Sequence, residues 1–452
     1  MAVFRKDFNC CKTVLCKNFG IIESDDYVYK SERLGYWATE CKACGSHPPW
    51  IKNAVVNVVF DEKFTHQFGR KLTGCPKCND CFFLSEETQT KLSGFTSAGT
   101  QRKKCIQCNC VFTVANIKNI MALKLVLQAV QAGGELSESI KFTGLSARLY
   151  YFYLDKLAII FSNFSRLNEE TALHKHKMAM TTQGKLLHFS HRRGVYHLIT
   201  AEIESGYILL QTNNLTKQKI SDYYRYDKKE NTIISTIDSD NLENIIIDRY
   251  QQHMKRKHFE QLLVGELKPV SKCHLIYPDK LAYVHFQLLN VFVEHVDTYI
   301  HYIEHESCFR SAALMAAYPD IKVGNADVCF FIPFENTDDF SQGKEIGWWK
   351  DKWYSDKSGG YSPIVNQQKV SGDMKHPFDD SANLFADYLQ QHLYKSVNSM
   401  TVIDNLSEIH RTIFNYCELS DQVTRANRLA ITDKVYTPET LLDEAVHLIM
   451  SR

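Results

Sequence analysis

Cys11-Lys-Thr-Val-Leu-Cys16 with Cys41-Lys-Ala-Cys44, and then Cys75-Pro-Lys-Cys78 with Cys105-Ile-Gln-Cys108, decide how the front of this chain folds. Cys11 recurs 64 residues later as Cys75, Cys41 and Cys44 recur as Cys105 and Cys108, and Gly35 recurs as Gly99. Each copy carries two thiolate pairs on tight turns, the donor set of a tetrahedral zinc shell. A repeat of that set at a fixed interval predicts two tandem zinc ribbons and two structural Zn²⁺ ions. Cys11, Cys16, Cys41 and Cys44 serve the first, and Cys75, Cys78, Cys105 and Cys108 the second. Cys10, Cys81 and Cys110 are left over and read as small buried thiols.

Eleven of the fifteen cysteines lie before residue 111, which would also suit a disulfide framework. The start of the chain, with Phe4-Arg5-Lys6-Asp7, has no apolar signal stretch, which points to a reducing compartment instead. A redox CxxC pair would explain one knuckle but not four half-sites in register. A unit of about 35 residues has too little core to fold alone, so zinc binding is expected to supply its folding energy. Removing the metal is therefore expected to unfold residues 1–112 and spare the rest.

Charge is divided along the chain. Residues 1–180 hold 24 Lys/Arg against 16 Asp/Glu, a net of +8, and residues 181–452 hold 29 against 36, a net of −7. A basic front suits a nucleic-acid-binding head. No run of 18 apolar residues exists, which argues against a membrane span.

Behind the ribbons the pattern turns helical. Residues 117–132 place apolar residues at three- and four-residue spacing until Gly133-Gly134. A short helix over 135–142, a Thr143-Gly144 turn and a third helix from Ser146 to about Phe161 predict a helix-turn-helix. The third helix offers Arg148, Tyr150, Tyr151, Tyr153 and Lys156 to phosphates or base edges. A plain three-helix connector with inward tyrosines is the competing reading. Residues 166–190, polar and basic with His174 and His176, read as a linker more readily than as a metal site.

The remainder predicts a mixed α/β body. Gly194–Ile203 and Tyr207–Thr212 form a hairpin, Thr298–Ile303 and Asp327–Ile332 are strands, and Tyr283–Glu294 and Phe309–Tyr318 are helices. Residues 213–270 read as loop and helix, with a basic helix face at His253–His258. Residues 343–354, rich in Trp, Tyr and Lys, suit either base stacking or a core-capping insertion. Residues 381–450 read as helical.

Several segments together resemble bacterial insertion-element transposases with an amino-terminal zinc ribbon. Gly94-Phe-Thr-Ser-Ala-Gly-Thr-Gln-Arg-Lys-Lys-Cys-Ile-Gln-Cys108 with Phe112, and Cys16-Lys-Asn-Phe-Gly20 with Cys41-Lys-Ala-Cys-Gly45, are similar to their ribbon. Ala201-Glu-Ile-Glu-Ser-Gly-Tyr207, His301-Tyr-Ile-Glu-His-Glu-Ser-Cys-Phe-Arg310, and Phe414-Asn-Tyr-Cys417 with Arg425–Leu429 are similar to their RNase H-like core. The resemblance implies zinc ribbons over 1–60 and 61–115, a helix-turn-helix over 116–165, and an RNase H-like core with insertions and a helical end over 191–452. It implies double-stranded DNA as partner, contacts from Arg102, Lys103, Lys104, Arg148, Tyr151 and Lys156, and a homodimer or higher multimer on DNA. It places the protein in the bacterial cytoplasm, at the nucleoid. The implied chemistry is cutting and joining by two Mg²⁺ or Mn²⁺ ions held by carboxylates. By position, Glu202 and Glu304 are the first two, and Asp380, Asp387 and Glu408 are candidates for the third. The family usually has Asp at both matched positions and Gly where this chain has Cys308. A non-catalytic DNA-binding descendant, or a zinc-ribbon regulator sensing a partner or ligand, are the alternatives.

Overall fold

The computed structural model describes residues 4–69, 71–78, 81–83, 89–97, 99–113, 117–190, 192–225, 241–255, 261–335, 340–347, 350–366 and 380–451. Two small cysteine-bearing units come first. The first pairs β1 (Tyr27–Ser31) with β2 (Ala38–Cys41), and helix α1 (Asn53–Phe68) follows it. The second is a three-stranded sheet of β3 (Thr90–Phe95), β4 (Gln101–Cys105) and β5 (Val111–Thr113). Gly35 and Gly99, one repeat apart, turn the two hairpins at φ +80° and +77°, a conformation that costs glycine nothing.

Three helices come next: α2 (Ile120–Ala132), α3 (Leu136–Thr143) and α4 (Ala147–Ala172). Gly133 and Gly144, both at positive φ, stop the first two, and the Ser146 hydroxyl caps the third by accepting from Leu149 N–H. The end of α4 was expected near Phe161, yet it runs to Ala172, about 39 Å in all. Its second half carries Asn163, Ser165, Arg166 and Glu169, all buried. Partners on other elements satisfy these polar groups, which local pattern cannot reveal.

The body is built on an eight-stranded mixed sheet. Its elements follow in chain order: β6 (Lys175–His188), β7 (Gly194–Glu202), β8 (Ile208–Asn213), β9 (Leu215–Thr216), α5 (Leu242–Lys255), β10 (His274–Leu275), α6 (Pro278–Val293), β11 (Val296–Glu304), α7 (Phe309–Ala316), α8 (Tyr318–Val323) and β12 (Ala326–Pro333). An antiparallel extension of β13 (Lys344–Ile346), β14 (Asp351–Asp356) and β15 (Gly359–Pro363) is added. Then come α9 (Ser381–His392), α10 (Met400–Tyr416), the small pair β16 (Leu419–Ser420) and β17 (Val423–Thr424), α11 (Arg425–Arg428) and α12 (Pro438–Ser451). The sheet order is β13-β14-β15-β12-β11-β6-β7-β8. β11 runs parallel to β6 and to β12, while β6, β7 and β8 form an antiparallel meander.

Residues 166–190 therefore differ from the expected linker: they hold the last turns of α4 and the whole of β6, a central strand. The polar run Thr181-Thr182-Gln183 is buried there. Thr182 Oγ1 meets Thr200 Oγ1 at 2.5 Å and His301 Nε2 at 2.6 Å, and His285 bridges Thr200 and Thr212 at 2.7 and 2.9 Å. Thr182 can be polar in the buried strand because its partners come from β7 and β11. The His285 bonds put α6 on one face of the sheet. Gln211, paired with Ile199 on the other face, donates to the Ser407 carbonyl at 2.6 Å and so places α10 there.

Most other sequence expectations for the body match its elements. Residues 194–212 form a hairpin, 298–303 and 327–332 lie in strands, and the end of the chain is largely helical. Of the aromatic stretch, Trp353 and Tyr354 are buried core residues, and Trp348 and Trp349 lie outside the described residues. Of the basic cluster at 253–258, His253 to Lys255 end α5 and the rest lies outside them. Among the described residues no helix is long and apolar enough to cross a membrane.

Candidate metal centres and nucleic-acid surface

The chain brings together the two cysteine sets that the repeat singled out. Within each set the ligand sulfurs all lie within 4.8 Å of one another. Cys11 and Cys44 sulfurs are 3.6 Å apart, Cys16 and Cys41 3.9 Å, Cys75 and Cys108 3.5 Å, and Cys78 and Cys105 3.6 Å. Zn–S arms of about 2.3 Å in a tetrahedron put sulfurs about 3.8 Å apart, so both sets fit Zn²⁺. A disulfide would need about 2.0 Å. The knuckles are built alike. Gly45 N–H donates to the Cys41 carbonyl at 2.8 Å, and Asn109 N–H donates to the Cys105 carbonyl at 3.0 Å. Gly45 and Asn109, one repeat apart, are both left-handed, at φ +73° and +58°. Glycine and asparagine are the residues that accept this turn most readily.

Each set contains one thiol disposed to ionise first. Burial raises Cys44, but hydrogen bonds from the Ser46 hydroxyl and N–H outweigh it and hold the thiol at about 6. A backbone hydrogen bond at Cys108 holds Cys105 at about 7. Burial pushes Cys11 up, and the Cys108 thiol does the same to Cys78. Among the leftover cysteines, Cys10 is buried against Met315 in α7, with sulfurs 3.3 Å apart, while Cys81 and Cys110 are half-buried.

Both units meet the body, through different parts. The first is docked on the body. Phe8 packs on Tyr283 at 4.8 Å between ring centres, Phe19 on Tyr318 at 5.3 Å, and Lys12 Nζ donates to the Tyr283 hydroxyl at 2.8 Å. The second is anchored through the segment around its first cysteine pair, where Phe83 packs on Phe292 at 5.2 Å and its N–H donates to Glu170 at 2.7 Å, while much of its sheet is exposed. Lys91 pairs directly with Lys104, which pairs with Val111, and Arg102 pairs with Thr113. Alternation puts Lys91, Arg102 and Lys104 on one face and Lys103 on the other, with Leu92 and Phe112. Like charges opposed across strands are destabilising without an anion between them.

On α4, Arg148 and Tyr151 face solvent, and Lys156 is half-buried with its ammonium 4.6 Å from the Phe152 ring centre. Tyr150 and Tyr153 turn inward. Tyr150 shares a 2.6 Å hydrogen bond with Tyr394, and Tyr153 accepts from Asn119 at 2.8 Å.

The carboxylates are not brought together. Glu202 pairs with Met180 on β6, which is level with His301 on β11. Glu304 is three residues further along β11 and, by alternation, on the opposite face of the sheet. Their Cα atoms are about 14 Å apart by strand spacing and rise. Glu202 is buried and accepts from Ser205 N–H at 2.8 Å and from the Ser205 hydroxyl, which closes the β7–β8 turn. Glu304 is half-buried, 3.9 Å from Arg249 Nη2. Asp380 accepts from Asn383 at 2.6 Å before α9, and Asp387 is exposed on that helix.

Glu408 belongs to a different constellation that sequence reasoning missed. It receives Arg411 at 2.8 Å, Arg411 donates to Glu169 at 2.9 Å, and Glu169 receives Arg166 at 2.6 Å and the Tyr207 hydroxyl at 2.8 Å. Arg166 also donates to Gln67 at 2.9 Å and lies against the Phe68 and Phe292 rings, 5.1 Å from each centre. All four charges are buried, two of each sign. The i,i+3 spacing of Arg166–Glu169 and of Glu408–Arg411 was visible in the sequence, but their meeting across α4 and α10 was not. Among the described residues the two cysteine sets are the metal-binding constellations, and no cluster of carboxylates joins them. Compared with protein-family models, with curated proteins and with solved structures, the chain finds no match.

Proposed function

We propose that this is a zinc-dependent DNA-binding protein with an RNase H-like body that holds DNA without cutting it. The observation that carries the reading is the face of the second zinc unit, where Lys91, Arg102 and Lys104 are held side by side by strand pairing. A phosphate backbone is the partner that turns this repulsion into attraction, by displacing counterions from DNA. The three helices α2, α3 and α4 support a helix-turn-helix whose last helix offers Arg148, Tyr151 and Lys156 to DNA.

The strand order β8-β7-β6-β11-β12 supports the RNase H-like reading of the body. It is a three-stranded meander followed by two strands parallel to its first. On that reading the first strand is β6, and residues 175–188 contain no Asp or Glu. Level with Glu304 and on its face stands Gln183, one step beyond the Ile303–Thr182 pair. Two-metal catalysis needs carboxylates that share ions about 4 Å apart. Glu202, on the second strand and the other face, does not meet that need with Glu304. This favours the non-catalytic alternative over cutting and joining by Mg²⁺ or Mn²⁺.

The test is fluorescence anisotropy on duplex DNA over a range of salt. Binding should weaken steeply with salt, with a log–log slope of about −0.9 per phosphate contact. Lys104→Glu and Arg102→Glu should each weaken binding to all sequences alike and flatten that slope by about 1. Lys103→Glu, on the other face, should do less. Salt-insensitive binding would refute the reading. So would Mn²⁺-dependent strand cleavage that Glu304→Gln abolishes, because it would restore a catalytic core.

A further inference from the structure

The two zinc units repeat each other, yet they no longer carry the same surface. Along the 64-residue interval, Ala38, Thr39 and Glu40 align with Arg102, Lys103 and Lys104, whereas Tyr29, Lys30 and Trp37 align with Ser93, Gly94 and Gln101. One hairpin has the charge and the other has the aromatic rings.

The backbone gathers those rings. β1 and β2 pair Val28 with Glu40 and Ser31 with Ala38, so Tyr29 and Lys30 oppose Thr39 alone. This is a bulge, a device that re-aims side chains. The second hairpin has the same irregularity between Leu92 and Phe95, filled there by Gly94 at φ +77°. In the first it is Lys30 that stands in the left-handed conformation, at φ +53°, where glycine would be relaxed. The Lys30 ammonium ends 5.8 Å from the Trp37 ring centre and 5.5 Å from that of Trp50. Trp50 follows Pro48-Pro49 and its backbone N–H donates to the Trp37 carbonyl at 2.7 Å, which holds the two residues' backbones together. Tyr29 stands edge-on to Trp50 at 6.2 Å. Trp37 is 52% exposed and Tyr29 44%, so these rings are not core.

We propose that Tyr29, Lys30, Trp37 and Trp50 form a stacking site for unpaired bases of a DNA strand. Every base has a π-face that an exposed indole can receive, and the interleaved ammonium gives the adjoining phosphate a partner. The site would take a strand where a duplex frays or ends, while the basic face of the second unit holds the paired part. The proposal rests on the DNA-binding reading. Methylated ammonium groups of protein tails also occupy aromatic cages. Here the chain's own ammonium already lies beside both indoles, and the Glu32 carboxylate is engaged by Trp37 Nε1.

The test compares full-length, zinc-loaded protein on a blunt duplex and on the same duplex with an oligothymidine overhang. The overhang should tighten binding on the order of tenfold for each base stacked. Trp37→Ala should remove that gain and leave blunt-duplex affinity and zinc content unchanged, and Trp37→Phe, which keeps a ring, should retain part of it. No gain from the overhang, or a gain that survives Trp37→Ala, overturns the stacking site while blunt-duplex binding leaves the DNA reading standing. Binding to neither DNA overturns both. A trimethyllysine peptide bound in a Trp37-dependent way, with no overhang gain, would assign the rings to an ammonium ligand instead.

Discussion

Replacing Glu408 by alanine should destabilise the whole fold rather than silence a site. The side chain is almost wholly buried and bonded to Arg411, itself fully buried, at 2.8 Å. Burial works against the Arg411 charge, but Glu408 first and then Glu169 outweigh it and raise its pKa further. Arg166, Arg411, Glu169 and Glu408 sum to zero, so losing one carboxylate strands a positive charge in the core. Breaking a buried pair from one side costs about 3–5 kcal/mol, against a total stability on the order of 5–15 kcal/mol. Glu408→Gln keeps the volume and one acceptor, so it should cost less. In a double-mutant cycle, Glu408→Leu with Arg411→Met should cost less than either single change, because both charges leave together. The assay is urea unfolding at pH 7.5 with zinc present, followed by far-ultraviolet circular dichroism. A wild-type midpoint for Glu408→Ala, or fully additive effects in the cycle, would refute the reasoning. It would reopen Glu408 as an acid held ready for a metal ion.

Two further outcomes follow from the buried histidines and the cysteine sets. Burial holds His197, His301 and His410 at about 3 and His285 well below its ordinary value. Unfolded, each takes a proton near 6.5, so stability is lost as pH falls from there toward the folded values. At pH 5.5 the four together should cost roughly 5 kcal/mol. Asp327, raised by burial to about 6, returns less than about 1 kcal/mol. Urea midpoints at pH 7.5 and 5.5, with bound zinc measured at both, check this. Loss of either cysteine set should also reach the body. Cys105→Ser should remove one zinc ion and DNA binding and lower the melting temperature of the body, because its unit is anchored through Phe83 on Phe68 and Phe292. Cys41→Ser should also lower that melting temperature, because its unit is docked on Tyr283 and Tyr318. A wild-type melting temperature in either variant would count against its unit's docking.

The cysteine sets were legible in the sequence because ligand spacing within a knuckle is local chemistry, and the interval of 64 residues repeats it. The helix ends at Gly133 and Gly144 were legible for the same reason. β6 was not. Its Thr181, Thr182 and Gln183 look like linker, and only the fold brings Thr200 and His301 to the Thr182 hydroxyl. That omission moved the count of strands by one. Glu202, at the end of the first strand recognised, sits on the second strand of the meander and closes a turn. The exposed rings of the first hairpin were also missed, because a bulge and a Pro-Pro segment bring them together.

Helix α4 begins among the side chains proposed to meet DNA, crosses the core through Arg166 and Glu169, and reaches β6 after only two residues. Head and sheet therefore share one stiff axle, with no swivel between them. A molecule seated in a groove would have its body pointed in a fixed compass direction around the duplex. Two copies on one DNA could face each other only when their sites are separated by whole helical turns, about 10.5 base pairs each. The spacing of sites, rather than their sequence alone, would then decide which pairs of molecules can touch.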